Sequence, residues 1–209
     1  MNATIVVAAV ATLLAFSTTA NAHPNGHEAT MTEEEQNREV YAHAGLALQM
    51  AQILEHAIVS SMIVLDLVPR SKGKVVTVDE WYQRHDAYQE MQFEKTLGRL
   101  VGAVREVATM NDQLVADLQQ CTRKRNYLAH HFFRVQAEAF MNEPGRRKMI
   151  SELNDIQALF ERTIGAFEAA VQPAWARYGF TEDRREELVA EYMREFSGKQ
   201  ADGPKERKR

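Results

Sequence analysis

Apolar residues recur at spacings of three and four along most of this chain, and that spacing is typical of helices buried along one side. The first such stripe consists of Val40, Ala44, Ala47, Ala51, Leu54, Ile58 and Met62. Helix breakers are rare, because the 209 residues include only five prolines and ten glycines. Ala, Leu, Glu, Gln and Arg, which favour helices, are abundant. We therefore expect an all-α fold, an antiparallel bundle of four to five helices formed by residues 32–196 as a single domain.

Local signals predict the helix boundaries in the first half of the chain. The first helix is predicted to span residues 32–67, and its acidic first turn suits a helix N-terminus. Pro69–Val76 is predicted to be a loop. Thr77-Val78-Asp79-Glu80 has the form of a capping box and should open the second helix. The apolar face then continues to Val107, either as one long helix or as two pieces broken near residues 96–98.

The second half is predicted to contain a long helix that carries most of the chemically promising side chains. Asn111 or Asp112 should cap this helix, which is predicted to run to about Asn142. Glu143-Pro144-Gly145 is then predicted to end it. A further helix is expected through Met149–Phe167.

The C-terminal region is predicted to hold one more amphipathic helix and a tail. Pro173 should kink or end the preceding helix. Thr181-Glu182-Asp183 is typical of a helix start, and this last helix is predicted to run to residue 196. The charged tail, residues 197–209, is predicted to be disordered.

Residues 1–31 form a leader with two interpretations. The apolar run Ile5–Phe16 is followed by Ala20-Asn21-Ala22, which fits the cleavage site of a secretory signal peptide. No Lys or Arg precedes the run, and the run is too short to span a membrane. Translation starting at Met31 is the alternative. The first interpretation predicts a secreted or periplasmic protein, and the second a cytoplasmic one.

Charge and cysteine content narrow the classes of function. The net charge of −4 argues against a general polyanion binder, although local basic clusters can still hold RNA. The one cysteine, Cys121, excludes an intrachain disulfide and lies on an apolar stripe, so it is predicted to be a core residue. No zinc spacing, phosphate-binding glycine loop or paired Glu-x-x-His motif occurs in the sequence, and we expect neither a metal nor another cofactor.

The segment Arg123–Arg134 interrupts an otherwise apolar stripe with a charge. The stripe consists of Leu114, Leu118, Cys121, Leu128, Phe132, Val135 and Ala139. The position that the spacing requires between Cys121 and Leu128 holds Arg125, where a leucine would pack. A guanidinium there costs stability unless it is paired or faces a ligand. Glu55, beside the first apolar stripe, is the predicted partner.

His130 is the second promising side chain of this segment. It follows Arg125 by five residues, so it lies roughly 140° around a straight helix from Arg125. Asn126 and His130 are four residues apart and share a face. Arg125 and His130 therefore reach one phosphate together only if the arginine side chain curls, the helix is irregular, or a second copy of the chain supplies one of them.

Arg125-Asn126-Tyr127-Leu128-Ala129-His130 resembles the Arg-x4–6-His signature of the HEPN superfamily, including the polar residue after the arginine. A looser resemblance extends over residues 32–165. The resemblance implies a HEPN-like all-α domain, a homodimer, and a metal-independent endoribonuclease of toxin or defence systems. The resemblance also implies an antitoxin or nucleotidyltransferase partner, and such nucleotidyltransferases modify a tyrosine two residues after the histidine. Phe132 stands at that position here and lacks the hydroxyl that this modification needs.

The residue types fit RNA cleavage without a metal. Histidine titrates near neutral pH, so His130 can act as base or acid. Arg125 offers forked donors to phosphoryl oxygens, and Asn126 can orient either the histidine or the phosphate. As the HEPN resemblance implies, two copies in a dimer would supply both an acid and a base.

Further side chains of the segment are candidate RNA-binding residues. Arg123, Lys124 and Arg134 are predicted to attract the RNA backbone, and His131 is a second candidate histidine on the opposite flank from His130. The alternative is a non-catalytic helical module that uses the same surface to bind RNA, a nucleotide or a partner protein.

Overall fold

The computed structural model describes residues 31–74 and 77–201, and the predicted leader up to residue 30 and the tail beyond residue 201 lie outside this part. The all-α prediction is confirmed, since no strand occurs among the described residues. The α-helices are α1 (Glu33–Met62), α2 (Val68–Ser71), α3 (Val78–Phe93), α4 (Leu97–Val107), α5 (Asp112–His130), α6 (Phe132–Val135), α7 (Ala137–Phe140), α8 (Glu143–Ala176) and α9 (Glu182–Ala201), and a π-helical segment, Ile63–Leu67, joins α1 to α2.

The first helix begins at a complete capping box. The side chain of Thr32 accepts from the backbone N–H of Glu35, and the Glu35 carboxylate accepts from the backbone N–H of Thr32. These two bonds satisfy donors that the first helical turn leaves free. The carboxylate therefore gains hydrogen bonds when ionised, which lowers the pKa of Glu35.

The helical path continues past Pro69, so the predicted loop begins too early. Within the π-helical segment the backbone hydrogen bonds join residues five positions apart, as in the bond from the Val68 N–H to the Ile63 carbonyl. Pro69 follows at the start of α2, a position where proline is tolerated because its missing N–H removes little. Helical structure ends only at Ser71.

The continuous stretch Glu33–Ser71 has the length and composition of a membrane-spanning helix, with mean hydropathy of 1.5 in its most apolar window. However, 72% of that window is buried inside the fold. Helix α1 packs against α4, α5 and, most extensively, α8. A core helix meets the same criteria of length and composition, and this burial by protein is what a core helix requires.

Helices α3 and α4 are two separate pieces, which decides between the two predicted alternatives. The capping box at Thr77 and Glu80 is confirmed. Helix α3 is joined to the π-helical segment by Tyr88, whose hydroxyl donates to the Asp66 carboxylate at 2.8 Å. Asp66 is buried and also pairs with Arg70 at 2.7 Å. Burial and the bond to Asp66 raise the pKa of Tyr88.

The predicted course of the chain after residue 130 is wrong. Helix α5 ends at His130, and two short turns, α6 and α7, replace its predicted extension to Asn142. The apolar stripe stays buried as far as Phe132 and then leaves the core, so Val135 is 62% exposed. Asn142 caps α8 through a bond from the Gly145 N–H, and Pro144 occupies the first turn, where proline is favoured. Glu143-Pro144-Gly145 therefore opens a helix rather than ending one.

Helix α8 contributes one whole side of the core and runs through Pro173 to Ala176. The helix therefore does not end at Pro173, which was one of the two outcomes predicted for this proline. Buried residues of α1, α4, α5 and α8 form one continuous hydrophobic cluster. Helix α9 extends to Ala201, beyond the predicted end at residue 196.

Candidate functional site

Helix α5 carries the predicted site, and its position follows from its sequence. Asn111 caps its N-terminus by accepting from the Leu114 N–H at 2.8 Å. Leu114, Leu118, Cys121 and Leu128 are buried, as the stripe predicts. Cys121 is a core residue whose thiol donates to the Thr163 hydroxyl, and burial raises its pKa to about 11. A thiol with so high a pKa is a poor nucleophile at neutral pH.

Arg125 lies at the edge of the core rather than within it. Its side chain is 34% exposed, so the prediction of a buried guanidinium is wrong in degree. Helix α5 places Arg125 between the buried stripe and the solvent, and the long side chain reaches outward from there.

The predicted partner of Arg125 is present. The Arg125 Nε and the Glu55 Oε1 on α1 are 3.4 Å apart, and the Glu55 side chain is 21% exposed. Among the described residues, Glu55 is the ion-pair partner of Arg125, and no hydrogen bond joins the two side chains. With 34% of its side chain exposed, Arg125 remains partly accessible to an anion from solution.

His130 is exposed at the C-terminal end of α5. In the part of the chain that the structure covers, no hydrogen bond or ion pair joins it to Arg125. Its nearest ring is that of His131, with centroids 6.2 Å apart. Asn126 is exposed one turn before His130. The structure thus brings Arg125 together with Glu55 but not with His130.

The other predicted RNA-binding residues have different surroundings. Arg123 is exposed. Lys124 lies 3.6 Å from the Glu152 carboxylate, which reduces its attraction for an anion. Arg134 donates to the His131 Nδ1 at 2.9 Å. Because an arginine can only donate, His131 accepts at Nδ1 and carries its proton on Nε2.

An open depression beside the motif was not predicted. Its volume is 490 Å³, and it is lined by Gln120, Arg123, Lys124, Tyr127 and Glu152. The Lys124 ammonium lies 5.3 Å from the centroid of the Tyr127 ring, within range of a cation–π contact. The spacing of residues 120, 124 and 127 places them on one helical face, so the sequence held part of this signal. Glu152 belongs to α8, and no local pattern links it to α5.

Phe132 occupies the position of the tyrosine that the HEPN resemblance would require. It is 1% exposed and belongs to the hydrophobic core. The Tyr127 ring meets its ring edge-on with centroids 5.8 Å apart. Position 132 therefore faces the interior of this fold, where a modifying enzyme has no access to the side chain.

Among residues 31–74 and 77–201, no group of three or more His, Cys, Asp or Glu side chains is arranged to hold a metal ion.

Comparison with known proteins gives no match, whether to family models, to curated proteins or to solved structures.

Proposed function

We propose that this protein is a metal-independent endoribonuclease of HEPN type. In this proposal, the α5 helices of two copies of the chain form the active site together. The observation that carries the proposal is the guanidinium of Arg125. Its Nε lies 3.4 Å from the Glu55 carboxylate, and the Arg125 side chain is 34% exposed at the edge of the core. A phosphate-binding arginine needs such access to solvent, because its forked donors must reach two phosphoryl oxygens.

A single copy of the helix supports only half of the chemistry. Arg125 and His130 point roughly 140° apart on α5, and one histidine cannot be base and acid in the same step. In a homodimer, the Arg125 of one chain and the His130 of the other can approach the same phosphate. The two His130 side chains then supply the two proton-transfer groups.

The proposed reaction is an internal transesterification of RNA. One His130 takes the proton from the ribose 2′-hydroxyl, whose oxygen attacks the phosphorus. The second His130 gives a proton to the departing 5′-oxygen as the P–O bond breaks. Arg125 stabilises the negative charge on the phosphoryl oxygens, and Asn126 orients the adjacent groups. The products end in a 2′,3′-cyclic phosphate and a 5′-hydroxyl.

Single-stranded RNA is the proposed substrate, and a toxin or defence role is the context that the HEPN resemblance suggests. Arg123 and Arg134 supply positive charge on the exposed side of α5 and α6. Regulation through a tyrosine at position 132 is not part of the proposal, because Phe132 lacks the hydroxyl and is buried.

The test compares the full chain with its His130→Ala variant on RNA in excess EDTA. We expect the wild type to leave 2′,3′-cyclic phosphate ends and the variant to cleave about 10²–10⁴-fold more slowly, which is the usual contribution of a general acid or base. His43→Ala, a histidine on α1, is the matched control and should cleave normally. Circular dichroism and sedimentation must show equal folding and dimerisation. Equal cleavage by wild type and His130→Ala would refute the assigned role.

A non-catalytic module that binds RNA, a nucleotide or a partner protein is the second candidate. It is favoured by the separation of Arg125 from His130 within one chain and by the depression beside them. This alternative predicts that the wild type binds RNA without cutting it, and that His130→Ala changes affinity only.

A further inference from the structure

The depression on α5 presents three kinds of contact to one ligand. Arg123 and Lys124 supply positive charge, Tyr127 supplies a flat aromatic face, and Glu152 supplies a carboxylate. It has a volume of 490 Å³ and is open to solvent, so it suits a ligand that is bound on one face. A ligand that makes all three contacts must carry a negative group, a planar ring and N–H donors on the edge of that ring. A nucleotide has these features.

The aromatic face is provided by Tyr127. The Tyr127 ring packs edge-on against the buried Phe132 ring, with centroids 5.8 Å apart, and this contact anchors the tyrosine to the core. The Lys124 ammonium lies over the ring at 5.3 Å. A base can stack there once Lys124 moves aside, and its long, partly exposed side chain can turn toward a phosphate instead. Stacking on an aromatic side chain is a common way to bind unpaired bases.

The carboxylate of Glu152 determines which base fits. Its Oε2 accepts from the Gln136 amide at 2.8 Å, its Oε1 lies 3.6 Å from the Lys124 ammonium, and the carboxylate also accepts from the Tyr127 hydroxyl. The two oxygens have four lone pairs, so two remain for a ligand once Lys124 moves aside. Among the four RNA bases, only guanine presents two adjacent N–H groups, N1–H and N2–H, on its Watson–Crick edge. A carboxylate that accepts from both therefore selects guanine.

The location links this contact to the proposed cleavage. Tyr127 and His130 are three residues apart on α5 and are neighbours on its surface. We infer that the depression is a guanine-reading subsite for single-stranded RNA, in which the base stacks on Tyr127 and pairs with Glu152 while Arg123 attracts the backbone. The inference rests on the proposed function for its place beside the scissile phosphate. The binding of guanine itself does not require cleavage.

The experiment uses the full chain and 2′-O-methyl oligonucleotides, which lack the attacking hydroxyl and cannot be cut. Three labelled uridine oligomers carry a single central guanine, hypoxanthine or adenine, and fluorescence anisotropy gives each Kd at fixed salt. Hypoxanthine lacks only the N2 amino group of guanine. We expect guanine to bind at least about fivefold more tightly than hypoxanthine or adenine, the lower limit for a two-bond base contact.

Variants assign that preference to the named side chains. Glu152→Gln should lose it, because an amide offers one acceptor and one donor and suits adenine better. Tyr127→Ala should weaken binding of every oligomer at least about fivefold, whereas Tyr127→Phe should keep the stacking and the preference. Glu161→Gln, an exposed position on the same helix as Glu152, is the matched control and should behave as wild type.

The outcomes separate this inference from the proposed function. Absence of binding, equal affinities for guanine and hypoxanthine, or a guanine preference that survives Glu152→Gln would overturn the subsite. RNA cleavage without a guanine preference would leave the ribonuclease intact and remove the subsite. A guanine preference without any RNA cleavage would support the subsite and refute the ribonuclease.

Discussion

Two glycines on α8 should respond in opposite directions to the same substitution. Gly145 lies in the first turn of α8, and a Cβ placed there would collide with the backbone of Ala139, meeting its carbonyl oxygen and approaching its carbonyl carbon and Cα to 2.6 Å. Gly165 lies in the middle of the same helix, and a Cβ there meets nothing within 4 Å. The first site is therefore overpacked by a single methyl group, whereas the second has space.

The magnitudes follow from this geometry. At Gly145 the obstacle is backbone, so the turn between α7 and α8 must move, and overpacking of this kind costs about 1–3 kcal/mol or more. The gain in helix propensity offsets at most about 1 kcal/mol of that cost. Because a backbone obstacle cannot turn aside, we expect a net loss of about 2 kcal/mol, which at about 2–4 °C per kcal/mol for a protein of this size lowers the Tm of Gly145→Ala by about 4–8 °C. Gly165→Ala should stabilise by about 1 kcal/mol and raise Tm by about 2–4 °C.

The assay is thermal and urea unfolding followed by circular dichroism at 222 nm. Because both substitutions change glycine to alanine in one helix, differences in the unfolded chain largely cancel. An unchanged or higher stability for Gly145→Ala would refute the close approach to Ala139. A clear loss of stability in Gly165→Ala would refute the argument from helix propensity.

Three further substitutions or reactions test other contacts. Tyr88→Phe should destabilise the fold by about 2 kcal/mol in urea unfolding, because it removes the hydroxyl that donates to the buried carboxylate of the π-helical segment, whereas Tyr82→Phe should change little. Glu55→Gln should lower kcat for RNA cleavage at least about tenfold without raising KM, because Arg125 loses its fixed orientation and the site loses a negative charge; an unchanged kcat would contradict this role. Because burial raises the pKa of Cys121 to about 11, the stabilisation from its protonated thiol is complete below the unfolded pKa and is lost as the pH rises toward 11; thiol labelling of the native protein at pH 8 should accordingly be far slower than that of the urea-unfolded protein.

Local signals predicted the parts of the fold that local interactions determine. The apolar spacing located the helices, and the box at Thr77 and Glu80 marked the start of α3 because its two bonds lie within one turn. Proline and glycine misled where their effect depends on the neighbouring backbone. Pro69 follows a π-helical turn, which the sequence did not reveal. Asn142, a good capping residue, lies two positions before Pro144. The sequence therefore contains a signal for a helix start, which the prediction of a helix end at this point did not use.

The candidate site divides in the same way. The pairing of Arg125 with Glu55 was predictable because each residue lies beside an apolar stripe that must face the other helix. The exposure of Arg125 was not, since periodicity gives the direction of a side chain but not the depth of the surrounding core. The partners of Tyr127 were also beyond local reasoning. The Gln136 amide donates to both the Tyr127 hydroxyl and the Glu152 carboxylate, and it reaches them because α5 ends at His130 and the chain turns back into α8.

Stability alone does not explain an arginine at position 125. An ion pair at 3.4 Å between side chains that are 34% and 21% exposed is screened by water and contributes at most about 1 kcal/mol. A leucine at this position, at the edge of the core, would be buried only in part and would contribute a similar amount through that burial. Packing energy therefore gives no preference for an arginine here. Under the proposed function, the arginine is explained by the phosphate that it binds, and Glu55 both orients the guanidinium and competes with that phosphate for it.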